Sequence, residues 1–347
     1  MKKTFYVTTP IYYTNWVPHI WHANSSLIAD ILKRYKKISG FDTKFLTWVD
    51  ENSQKAVLKA QEAWMTTMDY LDMMAEKHKA VWDWLDIKYT DFIRTTEERH
   101  HKFVQKVLKK CFDKWDIYQG VYEWMYCIWC EWFKKEDDLI EKDWKKVCPD
   151  HLTVPEILKE KNYFFKLSKY QTYLEELYAK NPNFVNPSFR FNEVISFVNR
   201  WLEDFSVSRE TNTFWIKLPF DENQVTYVWF DALFNYLTVC ESPDKGWNDM
   251  HFWPADVHVV WKDIVRFHAI YWPAMLASYF DLWVEKDWIL HFKESDLELL
   301  PTQILTTGYL TNEWVKMSKS LGNVIDPVVF TREQYNKELL TLYLLSS

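Results

Sequence analysis

A chain turns sharply only where a residue reaches positive φ, and glycine alone does so without steric cost. This chain has 5 Gly and 21 Trp in 347 residues, whereas average usage at that length gives about 24 glycines. A large α/β protein needs glycine in its turns, helix ends and phosphate loops, so five are too few. Gly and Trp together number 26, close to an ordinary glycine content. The expectation follows that many of these tryptophans stand where the fold wants glycine.

The remaining composition is that of a globular protein: 48% hydrophobic, 26% charged, net charge -7. It excludes a disordered, collagenous or bare coiled-coil chain, and the length suggests about two domains. No apolar run approaches the ~18 residues of a membrane span. Met1 to Phe5 lead straight into a strand-like segment rather than a signal sequence, so a cytoplasmic protein without membrane attachment is expected. The acidic balance argues against nonspecific polyanion binding, although local basic patches can still contact nucleic acid. Five cysteines without a secretory signal point to metal or core thiols rather than disulfides.

Thr4 to Thr9 read as a strand, followed by a loop and by a helical pattern from Ser25 to Ile38. A second strand at Phe45-Leu46-Thr47 precedes helical patterns at 55–63 and 68–81. This βαβα order favours a parallel sheet covered by helices. From Trp115 to about Gln224 the character changes, with Cys127, Cys130 and Cys148 clustered and a helix at 170–180, as in an inserted module. The α/β pattern returns in Val225 to Ala232, a strand at 256–260 and a helix at 263–279, while 285–300 fits neither period.

Three constellations carry chemistry. His19-Ile20-Trp21-His22 lies at a strand-to-helix junction, where free N–H groups and the helix dipole suit a nucleotide's phosphates; capping or surface histidines are the plain alternative. Lys316-Met317-Ser318-Lys319-Ser320 places two lysines on a polar loop, able to neutralise charge developing on a leaving pyrophosphate. Cys127-Ile128-Trp129-Cys130 and Cys148-Pro149-Asp150-His151 are two hooks with the spacing of a closed, structural Cys₃His Zn²⁺ site. Cys111 and Cys240 fall outside that pattern and are expected to be ordinary buried residues.

HIGH-type and KMSKS motifs together resemble class I aminoacyl-tRNA synthetases. The strings 5–13 (FYVTTPIYY), 92–100 (FIRTTEERH), 164–170 (FFKLSKY) and 252–256 (FWPAD) narrow the resemblance to the methionyl-tRNA synthetase family, over nearly the whole chain. The resemblance implies a Rossmann-like parallel sheet split by a zinc-binding connective domain. Residues 1–114 would form the first half of the catalytic domain and 115–225 the insertion. Residues 226–315 would form the second half, and 316–347 the KMSKS loop and the start of the next segment.

The implied activity is ATP-dependent formation of methionyl-adenylate, with Mg²⁺, and transfer of methionine to tRNA(Met). His19, His22, Lys316 and Lys319 match the catalytic and ATP-binding positions, and Asp263 matches a further carboxylate of the site. Asp50 matches the group that holds the amino group of methionine. Ile11, Tyr13, Trp229, Ala232, Leu233, Tyr236, Ile264 and His268 match the side-chain pocket, where aromatic walls suit a polarisable thioether. Cys127, Cys130, Cys148 and His151 match the zinc knuckle. Two rivals stay open: a class I synthetase for leucine, isoleucine, valine or cysteine, and an RNA-binding remnant that no longer binds ATP.

The departures from the family pattern are positional. Trp21 stands at the third position of the HIGH motif, and Trp16, Trp48, Trp115, Trp261 and Trp314 stand at other glycine positions. Trp229, Trp253 and Trp272 occupy places where the family also has tryptophan. This division leads to the expectation of a gene whose UGA codons mean glycine. Asn52-Ser53 replaces a common His-Gly pair, and Thr307 replaces a histidine. The sequence ends before a helical anticodon-binding domain would follow, so a fragment is expected, with amino-acid activation exceeding tRNA charging.

Overall fold

The computed structural model describes residues 3–127, 132–134, 136–142, 144–149, 152–210, 215–242, 247–308, 310–312, 315–316, 324–333 and 336–346. Its centre is a six-stranded parallel sheet. β1 (Thr4–Thr8), β2 (Asp42–Val49) and β3 (Asp91–Arg94) form one half in the spatial order β3-β2-β1. Strands 257–261, 303–307 and 185–186 continue the sheet from β1 in that order. All five neighbouring pairs are parallel.

Burial on both faces explains the strand composition. Phe5, Tyr6 and Val7 in β1 are all buried, as expected of a parallel strand covered by helices. Tyr6, Leu46, Trp48 and Ile93 join one apolar core, and Phe5, Val7, Phe45 and Val49 join another. The strict alternation of side chains in the pleat sends neighbouring residues to opposite layers.

Helices α1 (Ile20–Ile38), α2 (Gln54–Glu62), α3 (Thr67–Trp84) and α4 (Glu98–Asp113) link or flank the first three strands. α1 begins five residues before the Ser25 suggested by periodicity, because His19 caps it and draws the whole HIGH-type string into its first turn. The expected continuous helix over 263–279 is instead a turn at 262–264, a wide π turn at 267–271 and a regular helix at 272–280. Pro273 at the start of the last piece has no N–H to donate backwards, which suits a helix start better than an interior. The unplaced stretch 285–300 belongs to a hairpin, 284–286 with 289–291, and a helical turn at 294–299.

The module that interrupts the sheet contains an antiparallel sheet of four strands in the order 205–206, 156–165, 117–127 and 132–134. Residues 185–186 leave this region to become the outer strand of the parallel sheet. Cys111 and Cys240 are buried, as expected of core thiols, and burial pushes both thiols up to about 12.

Two buried histidines tie elements together in neutral form. His258 Nε2 accepts from Trp272 Nε1 at 3.2 Å, so its Nδ1 carries the proton and donates to Thr8 Oγ1 at 2.7 Å. Burial drives its pKa well below the usual 6.5, helped by His268. His100 on α4 meets Thr238 Oγ1 at 3.1 Å, and burial lowers it to about 3, with His101 and Arg99 adding to the shift.

Because both histidines stay neutral when folded but take up protons when unfolded, their contribution to stability is constant above about pH 6.5 and falls as pH drops below it. Each contributes a slope of about 1.4 kcal/mol per pH unit until its folded pKa is reached. Urea titrations between pH 7 and 4 measure this, and His258→Gln removes part of the slope. Trp272→Phe, which takes the donor from His258, lowers stability by about 1–3 kcal/mol at pH 7, read from the urea midpoint.

Candidate active site

Strand order reverses between β1 and strand 257–261, and ligands of open α/β sheets bind in the crevice beyond the carboxyl ends at such a point. β1 runs from there into the loop 9–19 and the N-terminus of α1, while strand 257–261 runs into the turn 262–264. The two histidines meet at the helix start. His19 Nδ1 accepts from the backbone N–H of Trp21 at 3.4 Å, and His22 Nδ1 accepts from the N–H of His19 at 3.2 Å. Their rings pack edge to face at 4.1 Å.

Tyr12 braces this turn from beneath. Its hydroxyl donates to the His22 carbonyl at 3.2 Å and lies 2.8 Å from Ser26 Oγ, and its ring contacts those of His22 and Trp82 at 5.0 and 5.7 Å.

The residues that bracket the second motif reach the same place. Ile20 N–H donates to the Ile325 carbonyl at 3.1 Å, and Trp21 Nε1 donates to the Leu310 carbonyl at 3.1 Å. Both flanks of the lysine-bearing segment are therefore held at the first turn of α1. Lys316 lies in a short strand, 315–316, paired with 311–312; Lys319 lies outside the described residues. Asp263 is exposed in the turn that follows strand 257–261, at the mouth of the crevice. Thr307 ends the neighbouring strand with its hydroxyl donating to the Val260 carbonyl at 3.4 Å.

Two indoles sit in this crevice. Trp261, the last residue of its strand, crosses to α1 and donates Nε1 to Ser25 Oγ at 2.9 Å. Its ring lies 5.3 Å from that of His22 and 5.8 Å from that of Tyr12. Trp21 stands edge-on to His19 at 5.9 Å. Trp16 lies further out, 44% exposed, under the Lys59 ammonium.

Beside the crevice is an aromatic cluster. Ile11, Trp229, Ala232, Leu233, Tyr236 and Ile264 are buried in one core, and Tyr13 packs against it. His268 is buried beside Tyr236, with ring centroids 5.7 Å apart. Its Nδ1 faces the Ile264 carbonyl at 3.0 Å and must carry the proton, so Nε2 accepts from the Tyr236 hydroxyl at 2.9 Å. Burial lowers His268 to about 4, keeping it neutral. Trp229 stacks on Phe267 at 3.5 Å; Phe267 had no signal beyond its place next to His268. Trp48 stands edge-on to Tyr236 at 5.6 Å and donates to the Thr9 carbonyl at 3.2 Å, so an indole fills space against this cluster too.

Asp50 continues β2 and bridges to Tyr13. Its Oδ1 accepts from the Asn52 N–H at 3.1 Å and from Thr95 Oγ1 at 3.2 Å, which keeps the carboxylate oriented. Asn52 Nδ2 reaches Asp231 Oδ2 at 3.3 Å, and Thr226 donates to the same oxygen at 2.9 Å. Glu51 is fully buried and receives Arg94 Nε at 2.8 Å and the Thr96 hydroxyl. Burial raises its pKa despite these partners. Asn52, Thr95, Arg94 and Asp231 had no assigned role; the one available signal was a carboxylate, Asp231, inside the apolar run 228–237.

In the inserted module, Cys127 and Cys148 are buried and meet around one residue. Thr153 Oγ1 lies 3.8 Å from Cys127 Sγ, and its carbonyl accepts the Cys148 N–H at 2.9 Å. Cys130 and His151 lie outside the described residues. Among the described residues no group of three or more candidate metal ligands occurs, and no helix is long and apolar enough to cross a membrane.

Comparison with known proteins bears on the family and the fold. The family described as tRNA synthetases class I (M) matches residues 5–347. Methionine–tRNA ligase of Thermotoga maritima is 41% identical over 345 residues, covering 98% of this chain and 51% of that protein. The Bacillus subtilis ligase is 41% identical over 356 residues, covering 99% of this chain and 50% of that one. The chain thus spans about half the length of these curated relatives. Mycobacterium tuberculosis methionyl-tRNA synthetase in complex with methionyl-adenylate superposes with TM-score 0.89 at 35% identity, over 99% of this chain and 64% of that one. Its apo form superposes with TM-score 0.76 at 32% identity, over 99% and 62%. On the parallel sheet, the HIGH-type string at its switch point and these matches, the chain belongs to the methionyl family of class I tRNA synthetases.

Proposed function

We propose that the chain is the catalytic portion of a methionine–tRNA ligase. The observation that carries this reading is the convergence on one helix start of His19, His22 and both flanks of the Lys316–Lys319 segment, beside an aromatic cluster closed by Tyr236 and His268. The methionine carboxylate attacks the α-phosphorus of ATP, the bond to the β-phosphate breaks, and pyrophosphate leaves. A terminal ribose hydroxyl of tRNA(Met) then attacks the acyl carbon and AMP leaves.

His19 and His22, at the positive end of α1, bind phosphate oxygens. Lys316 and Lys319 neutralise the charge that grows on the pyrophosphate, a contribution realised in the transition state. Mg²⁺ would supply further neutralisation of the phosphates when bound with ATP. Asp50, oriented by Asn52 and Thr95, holds the methionine ammonium. Ile11, Tyr13, Trp229, Ala232, Leu233, Tyr236, Ile264 and His268 enclose the thioether. Neutral His268 commits the Tyr236 hydroxyl, so the pocket presents ring edges rather than an unpaired donor to sulfur. Asp263, at the crevice mouth, contacts the ribose or the methionine.

Zn²⁺ fits the inserted module as a structural ion. Cys127 and Cys148 are drawn together around Thr153, and Cys130 and His151 would complete four soft ligands with no open position. Held there, the ion would fix the module that positions the acceptor end of the tRNA. The domain division at 114/115, 225/226 and 315/316 and a cytoplasmic setting belong to the same reading.

ATP–pyrophosphate exchange across amino acids tests the activity: exchange should depend on methionine, and Lys319→Ala should slow it about 10²–10³-fold. Exchange with leucine but not methionine would favour another class I synthetase, and none at all from a folded chain would favour an RNA-binding remnant. Elemental analysis should find one zinc per chain, lost in a Cys130→Ser, Cys148→Ser double variant.

A further inference from the structure

Among the described residues, nine other than glycine have positive φ: five tryptophans, three aspartates and Leu152. Aspartate is commonly found there, but a bulky aromatic is an outlier. Trp64, Trp115, Trp144, Trp201 and Trp288 have φ of 56° to 69° and side chains between 74% and 103% exposed. Their backbones demand left-handed geometry while their side chains bury almost nothing.

The turns they occupy are ones that select glycine. After α2, Trp64 N–H donates to the Gln61 carbonyl at 3.1 Å and Met65 N–H to that of Ala60 at 3.0 Å. After α4, Trp115 N–H donates to Phe112 at 2.9 Å and Asp116 N–H to Cys111 at 3.1 Å. Both are Schellman closures with tryptophan at the position where glycine is usual. α1 closes in the same way with a glycine: Gly40, φ 87°, donates to Lys37 and Phe41 donates to Lys36, both at 3.1 Å. Trp201 ends the helix 188–198 by donating to Val198 at 3.1 Å.

The other two tryptophans lie at the turns of β-hairpins. Asp287-Trp288 joins paired Lys286 and Ile289 with φ of 51° and 65°. Trp144, with φ of 61°, directly precedes Lys145, which pairs with Lys142. Positive φ at both residues of the 287–288 loop defines the type I′ turn, for which Asp-Gly is a preferred sequence.

Other tryptophans are built in. Trp272 is fully buried and hydrogen-bonded to His258, Trp253 donates to the Leu299 carbonyl at 3.0 Å, Trp229 stacks on Phe267, and Trp82 is fully buried against Tyr12. None of these four has positive φ.

We infer that residues 64, 115, 144, 201 and 288, together with 21 and 261 in the crevice, are glycine in the protein its own cells make, and that 82, 229, 253 and 272 are tryptophan. The codons at the first set are UGA read as glycine, and those at the second are UGG. The turn positions follow from backbone geometry alone. Positions 21 and 261 rest also on the nucleotide reading of the crevice, since both indoles stand at the helix start where phosphates would bind. Glycine at both opens that space.

Tryptic peptide masses of the protein purified from its source cells, read beside the gene, test the assignment. Glycine at 64, 115 and 288 with tryptophan at 229 and 272 is expected; tryptophan at 64, 115 and 288 overturns it. In a recombinant chain, Trp64→Gly, Trp115→Gly, Trp201→Gly and Trp288→Gly together should raise the urea midpoint, whereas Trp272→Gly should lower it. No gain at the turns overturns the backbone half. Adding Trp21→Gly and Trp261→Gly should tighten ATP binding, measured by calorimetry, about tenfold or more. If the native peptides carry glycine at 21 and 261 but the glycine chain does not bind ATP, the nucleotide reading fails and the residue assignment stands.

Discussion

The ladder between residues 4–8 and 257–261 is the constraint on which the site depends. It joins Val7 to Val257 and Thr8 to His258 across some 250 residues of intervening chain. Two bonds clamp its entrance: Tyr6 N–H to Asp256 Oδ2 at 2.7 Å and Asp256 N–H to the Tyr6 carbonyl at 2.8 Å. Because the strands are parallel, both carboxyl ends emerge on one edge. Because the order reverses there, the segments that follow diverge and leave a crevice. The histidines of the first half and Asp263 of the second reach the same opening only through this pairing.

A second join fixes the side of the crevice that carries Asp50 and the aromatic cluster. Asn52, from the first half, meets Asp231, from the second, and shares Thr95 with Asp50. Buried polar groups need partners, so this chain of bonds holds Asp50 in one orientation without relying on the flexible surface. The Tyr236–His268–Ile264 relay works similarly: one backbone carbonyl sets the imidazole tautomer, and the tautomer sets the direction of the tyrosine hydroxyl.

Much of this was readable in the chain. β1 was legible because its aromatic and β-branched residues are those of a strand buried on both faces, and α3 because its apolar positions recur at helical spacing. The start of α1 was not, since His19 as a cap depends on a ring reaching back to the N–H of Trp21 rather than on hydrophobic period. The interrupted helix at 262–280 was read as continuous because apolar residues dominate it, which conceals where the hydrogen-bonding pattern changes. Residues 284–291 have no clear period because the hairpin is largely exposed. Strand 185–186 is too short to leave any pattern, and Asp231 gains its meaning only from Asn52, 179 residues away.

The sequence by itself determined the family, two short motifs marking the class and the strings at 5–13, 92–100, 164–170 and 252–256 narrowing it, and it exposed the reversal of Gly and Trp as an anomaly of composition. It assigned some tryptophans by resemblance, but not Trp64, Trp144, Trp201 or Trp288. Tertiary structure decided those, because the sign of φ is set by how a helix closes or a hairpin registers, and a side chain's identity does not record it. It also decided which indoles the core requires, since Trp272 is held by His258 and Trp229 by Phe267. Contacts between elements, rather than the letters, separate a tryptophan that the fold uses from one that its backbone can only strain to accommodate.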